Sequence, residues 1–399
     1  METIVRSDLY TKKAAYLATI LSFVTIFLVV GLNTVYAILN SDMLSFLWLL
    51  LMILVMFPIS IAIHELGHLV FGLISGYKFI HYQFLFFRFE KIKGKLHFSF
   101  ILSPLLGQCL MGVSEEKKDD IKFTSYLLGG SIFNLITMII ALTVMTLVYV
   151  FTGAFIYLLL PVFGINFYMF ISNGIPLNVN GIYNDALNVR LMKKYKIARD
   201  ALINTLVLEY YHANDYSIMD ISDDILTNNH TDLPNYYIHS YVFSFYETIK
   251  KVVSGENNPF NNLVMWERVV YNLPQVYANQ NYELLAIKRM VDNEEYEYIF
   301  KLKINEKMFK SEQSDISKVD NILYKYKKSD ITSFKALDLI NSLEELTPKN
   351  GYHTMDIEFY SKLRDLARDY INGLYPIVEE IKDETDQSET DRESTDSVL

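Results

Sequence analysis

Hydrophobic positions crowd the first half of this chain, in runs too long and too uniform for a soluble fold. Ala14 to Ser41 carries no charge, Met43 to Ile63 carries none, and apolar character resumes through Leu66, Leu69, Val70, Phe71, Leu73 and Ile74 before Gly76 and Lys78 end it. Phe123 to Ser172 is a charge-free run of double length, so it predicts two spans with a turn at Thr152-Gly153. Four transmembrane helices follow. The first is too long for the apolar core of a cleaved signal peptide and reads as a retained helix.

Between the second and third spans the pattern changes to alternation. Phe79 to Phe100, with Tyr82, Phe84, Phe86, Phe87, Phe89, Ile92, Leu96, Phe98 and Phe100 around Lys93-Gly94, predicts a strand, a tight turn and a second strand. An exposed edge of this membrane-associated hairpin could take an unwound peptide by strand addition, or the hairpin could serve only as an interfacial anchor. His81 and His97 on it read as surface imidazoles.

From about Asn188 the chain is charged and rich in Tyr, with helical periodicity at Ile197 to Tyr211, Asn262 to Leu273, Ile316 to Tyr326, Ser333 to Leu346 and Ile357 to Tyr370. The expected fold class is mainly α: a polytopic membrane protein with about four spans, a β-hairpin and a C-terminal soluble helical domain of tetratricopeptide-like hairpins, although no clean repeat is visible. That gives a membrane domain over 1–187, a cytoplasmic helical domain over 188–378 and an acidic tail over 379–399. The helical domain could dock a protein partner or simply cover the cytoplasmic face.

Charge changes this picture in two places. The formal net charge of −10 comes largely from the tail, where Glu379 to Asp396 holds nine acidic and two basic residues, so the rest is near neutral and shows no nucleic-acid footprint. Basic residues mark orientation: Arg6, Lys12 and Lys13 precede the first span, Lys78 to Lys122 hold eight more, and Arg190, Lys193, Lys194 and Lys196 follow the fourth. The other connections carry none. Both termini are therefore expected in the cytoplasm of a multi-pass cell-membrane protein, and the Lys, Asn, Ile and Tyr bias suggests a bacterial source. The single Cys109 cannot form an internal disulfide.

The candidate chemistry lies in the second span, at His64-Glu65-Leu66-Gly67-His68. On a helix, HExxH sets two imidazoles on one face at the spacing that grips one Zn²⁺, with the glutamate placed to take a proton from water. Ionisable residues at this depth cost roughly 2.5–3.5 kcal/mol each on insertion, which makes them functional candidates. Catalytic zinc usually takes three protein ligands. The fourth span ends in Ser172-Asn173-Gly174-Ile175-Pro176, followed by an irregular stretch to Asn184-Asp185-Ala186.

HExxH in one span, then Asn-x-x-Pro and an aspartate nine residues after the proline, resembles the site-2 protease family of intramembrane zinc metalloproteases. The resemblance implies His64, His68 and Asp185 as ligands of one Zn²⁺ per chain, Glu65 as general base, and Asn173 as a substrate-orienting residue. Gly129-Gly130-Ser131-Ile132-Phe133-Asn134 resembles the small-residue and Asn segment opening the family's next core helix. Ala186 departs from the usual Gly, and the more compact family spacing would land on Gly181, which cannot ligate. Asp185 also fits a first-turn or N-cap acid of the helix beginning at about Ala186, and Asn173 fits a structural hydrogen bond at a broken helix end. The implied activity is zinc endopeptidase cleavage of a membrane-spanning or signal-peptide-derived segment, with the lipid bilayer as surroundings and a transmembrane protein or peptide as partner. The alternative is a non-catalytic membrane scaffold or immunity-type binding protein that keeps the fold.

Overall fold

A computed structural model describes residues 12–39, 43–101, 106–153, 159–179, 182–226, 239–256, 259–260, 287–288, 315–348 and 352–374. Among them, three helices are long and apolar enough to cross a membrane. They are α1 (Lys12–Leu39), α2 (Met43–Ile74) and α3 (Phe123–Thr152). Leu54, Phe27 and Ile140 stay open to the surroundings, as lipid-facing side chains do.

The expected fourth span is α4 (Leu160–Gly174), whose helix is 15 residues long. Its C-terminal end falls at Gly174, just before Pro176, where the sequence predicts the break, and its 15 residues are fewer than the roughly 20 of a full crossing. Gly153 caps α3 in the left-handed region at φ 68°, where the sequence predicts the turn.

Helix α1 packs on α4 through Ala18 and Ile171, and Val29, Leu49, Met145 and Leu160 bring one residue from each of the four helices into one cluster. The tightest crossing joins α2 to α3. A Cβ on Gly67 would overlap the Gly129 backbone, and one on Gly129 would overlap Gly67, so only glycine lets the two backbones meet here.

The predicted hairpin has a different shape. The chain folds as β1 (Lys78–Phe84), β2 (Phe87–Ile92), β3 (Lys95–Phe100) and β4 (Gly107–Gly112), an antiparallel sheet of order β3-β2-β1-β4. The first expected strand turns back at Leu85-Phe86, where Leu85 takes φ 53° and its amide is held by Leu106 O at 2.7 Å. No Gly or Asn announces that turn. The Lys93-Gly94 turn is as expected, with both residues at positive φ. Strand β4 was not anticipated, because GQCLMG lacks the alternation and β-branched residues that signal a strand.

Beyond the irregular segment, β5 (Asn178–Val179) pairs with β6 (Ile182–Tyr183), followed by α5 (Asp185–Lys194) and α6 (Lys196–Ala213). Helix α6 backs the sheet: Val113 N donates to Leu206 O at 3.1 Å, Tyr210 fills the space beside Gly112, and Lys93 pairs with Asp215 at 2.8 Å. After it come α7 (Asp223–Leu226), α8 (His239–Ser254), α9 (Asp315–Lys327), α10 (Ser333–Ser342) and α11 (Thr354–Ile371). The helix expected from Ser333 to Leu346 stops at Ser342, since Glu344 and Glu345 would sit unfavourably at the negative end of its dipole.

The described residues group into two compact units, one within 1–255, 259–282 and 344–362, the other within 256–258, 283–343 and 363–399. In the second, Tyr326 donates to Ile371 O and Arg368 Nε to Asn341 Oδ1, tying α9 and α10 to the end of α11. The expected helix at Asn262 to Leu273 and the acidic tail lie outside the described residues.

Candidate metal centre

The motif lies on one face of α2 where that helix meets α3. Ordinary helical spacing delivers His64 and His68 to the same side. Across from them, Asp185 occupies the first turn of α5. The two Nε2 atoms are 3.2 Å apart, and each is 3.3 Å from Asp185 Oδ2. Among the described residues, this is the group of His, Cys, Asp and Glu side chains whose donor atoms converge closely enough to share an ion.

Do these three atoms repel one another, share a proton, or hold a cation? His68 Nδ1 lies 2.8 Å from Tyr126 O, a backbone carbonyl that can only accept, so the ring proton sits on Nδ1. His64 Nδ1 donates in the same way to Asn134 Oδ1 at 2.7 Å. Both neutral rings therefore aim Nε2 lone pairs at Asp185 Oδ2, a buried oxygen that finds no donor of its own.

Three converging lone pairs call for a positive charge between them. Tetrahedral zinc with bonds of about 2.0–2.1 Å separates its ligand atoms by about 3.3 Å, which matches the triangle seen here. Space is kept as well: a Cβ on Gly130 would come within 2.6 Å of both Nε2 atoms, so the absence of a side chain there leaves the cradle open. The residues fit a zinc ion.

Asp185 owes its position to a neighbour that the sequence did not single out. Asn184 is the N-cap of α5, accepting from Leu187 N at 3.0 Å and from Leu177 N at 2.9 Å. Its amide also donates to Ser172 O and Ile175 O, both at 2.6 Å. One side chain thus pins the broken end of α4 to the start of α5 and satisfies backbone that would otherwise be unpaired at this depth. Asp185 is thus a first-turn acid of α5, with the cap itself falling to Asn184. Ala186 is buried behind it.

Glu65 is buried beside the triangle, with the Cys109 backbone amide donating to its carboxylate. Gly107 leaves room there too, since a Cβ on it would stand 2.8 Å from Glu65 Oε1. Strand β4, at the edge of the sheet, is therefore the strand next to the site, while β3 is at the opposite edge. Tyr126 joins these parts: its carbonyl holds His68 and its hydroxyl donates to Cys109 O at 3.0 Å.

Asn173 stands in the last turn of α4, where the sequence allows either a substrate-orienting residue or a structural hydrogen bond. Its amide donates along its own helix, to Met169 O at 3.2 Å and Ser172 Oγ at 3.3 Å. His81 is buried rather than on the surface, bonded to Gln108 and Arg88, and burial together with the Arg88 charge pushes its pKa down to about 4. His97 is exposed, as expected. Burial raises the Cys109 pKa and leaves the thiol inert.

The model of peptidase family M50, the site-2 protease family, matches residues 52–383, which covers most of the chain, both histidines, Glu65 and Asp185. No curated protein and no solved structure matches.

Proposed function

We propose, from the premise that this chain belongs to peptidase family M50, that it is an intramembrane zinc endopeptidase. Its substrates would be membrane-spanning or signal-peptide-derived segments, cut near the cytoplasmic face. The observation that carries the reading is the convergence of His64, His68 and Asp185 on one point, with the Glu65 carboxylate beside it. The completeness of that set favours an enzyme over a non-catalytic scaffold.

A zinc ion held by these three residues would polarise the scissile carbonyl and lower the pKa of water. The chain's own groups do the rest. Glu65, oriented by the Cys109 amide, takes a proton from water and returns it to the leaving amine. Asp185 keeps a negative charge among the ligands, and the Nδ1 contacts of both histidines keep their Nε2 lone pairs inward.

A peptide bond inside a helix is already hydrogen-bonded internally, so the substrate must be extended locally before cleavage. The edge of β4, with Gly107 beside Glu65, is the surface suited to receive it. We assign α4 as the fourth crossing, with both termini in the cytoplasm. The helical region over 188–378 would select or hold substrates.

Metal removal tests this reading. The purified chain, reconstituted with single-span membrane peptides, should cleave at least one of them, lose that activity after dialysis against a chelator, and regain it with added zinc. Cleavage that survives in verified zinc-free protein would refute the metalloprotease assignment.

A further inference from the structure

Asn166 lies in the middle of α4, fully buried at membrane depth, and the reaction outlined above makes no use of it. A polar side chain in such a place requires partners, and it has three. Its amide nitrogen donates to Val162 O at 2.8 Å and to Ser60 Oγ at 3.1 Å, and its oxygen accepts from Asn134 Nδ2 at 2.9 Å. It therefore joins α2, α3 and α4 one side chain away from His64.

The direction of these bonds matters more than their number. Val162 O is a backbone carbonyl and cannot donate, so it fixes which end of the Asn166 amide is NH₂. The Asn166 oxygen must then face Asn134, which turns the Asn134 NH₂ toward Asn166 and Ser60 O and its oxygen toward His64. An oxygen there keeps the proton on His64 Nδ1 and the lone pair on Nε2. Were the Asn134 amide reversed, its NH₂ would face Nδ1, and the proton would move to Nε2, pointing into the metal position.

We infer that Asn166 is a positioning residue for the metal centre, setting the His64 tautomer through Asn134 so that the ring is preorganised to bind zinc. The inference rests on the metalloprotease reading of the triad. Ser60 O, at 3.2 Å from Asn134 Nδ2, supports the same orientation, so loss of Asn166 weakens the preference without reversing it.

The test is zinc affinity of the detergent-purified full chain, measured by competition with a chromogenic chelator, alongside the melting temperature of the metal-free protein. Asn166→Leu removes both ends of the relay and should bind zinc about tenfold more weakly, in the range seen when outer partners of a ligand are lost. Asn166→Asp is the conservative variant: a neutral carboxyl in this dry site accepts from Asn134 and donates to Val162 O, so affinity should return to within about threefold of wild type. Unchanged affinity in Asn166→Leu overturns the inference. So does an equal loss in both variants that follows their metal-free melting temperatures, since that is the signature of packing alone. Absence of zinc binding in the wild type would instead remove the metal-site reading beneath it.

Discussion

Exchanging Glu65 for glutamine should reduce turnover of a membrane substrate by about 10²–10⁴-fold, the usual contribution of a positioned general acid–base group, while zinc content stays at the wild-type level. Glutamine has the same shape, and its carbonyl oxygen still accepts from the Cys109 amide, so strand β4 keeps its place against α2. What it cannot do is take a proton from water. The separation of the two readouts carries the test, because a variant that loses metal and activity together has lost its fold or its ligands. Steady-state cleavage of a single-span peptide, with metal analysis of the same preparation, gives both. Turnover within threefold of wild type would remove Glu65 from the chemistry.

A second large effect is expected from a change that removes no functional group. Gly130→Ala would put a methyl within 2.6 Å of the Nε2 atoms of both His64 and His68. Neither ring can easily step aside, since each is tethered at Nδ1, one by Asn134 and the other by Tyr126 O. The methyl therefore occupies the space an ion would need, and zinc affinity should fall by roughly 10–100-fold or more, comparable with the loss of a ligand's support. Alanine is the better helix former by about 1 kcal/mol, which offsets part of the crowding, so the metal-free protein should remain folded. Zinc titration against a competing chelator measures the effect, and wild-type affinity would mean that the histidines move freely and that the tethers described above do not hold them.

How much of this site could be read in the sequence follows from the distance over which each part is determined. The His64 and His68 pair is local, because helical geometry alone puts residues four apart on one face. Asp185 was reachable only through the spacing after Pro176 in a family resemblance, since nothing near it in the chain says that α5 will begin opposite α2. Asn134 and Asn166 stand out as polar residues in apolar runs, but an asparagine in such a run does not name its partner, and the relay spans three helices. Strand β4 was hidden for another reason. Its sequence is poor in strand-forming residues, and it pairs because β1 and the tether to Glu65 hold it. Run length located the end of α4 near Ser172, and the helix ends at Gly174, but it could not show that Asn184 would hold that end.

The most direct test of the central claim is the zinc content of the purified wild-type chain compared with Asp185→Ala. About one zinc per wild-type chain is expected, and a loss of most of it in the variant, because two imidazoles alone leave the ion short of its usual three protein ligands. A wild-type protein without zinc, or an Asp185→Ala variant that keeps a full equivalent, would contradict the account.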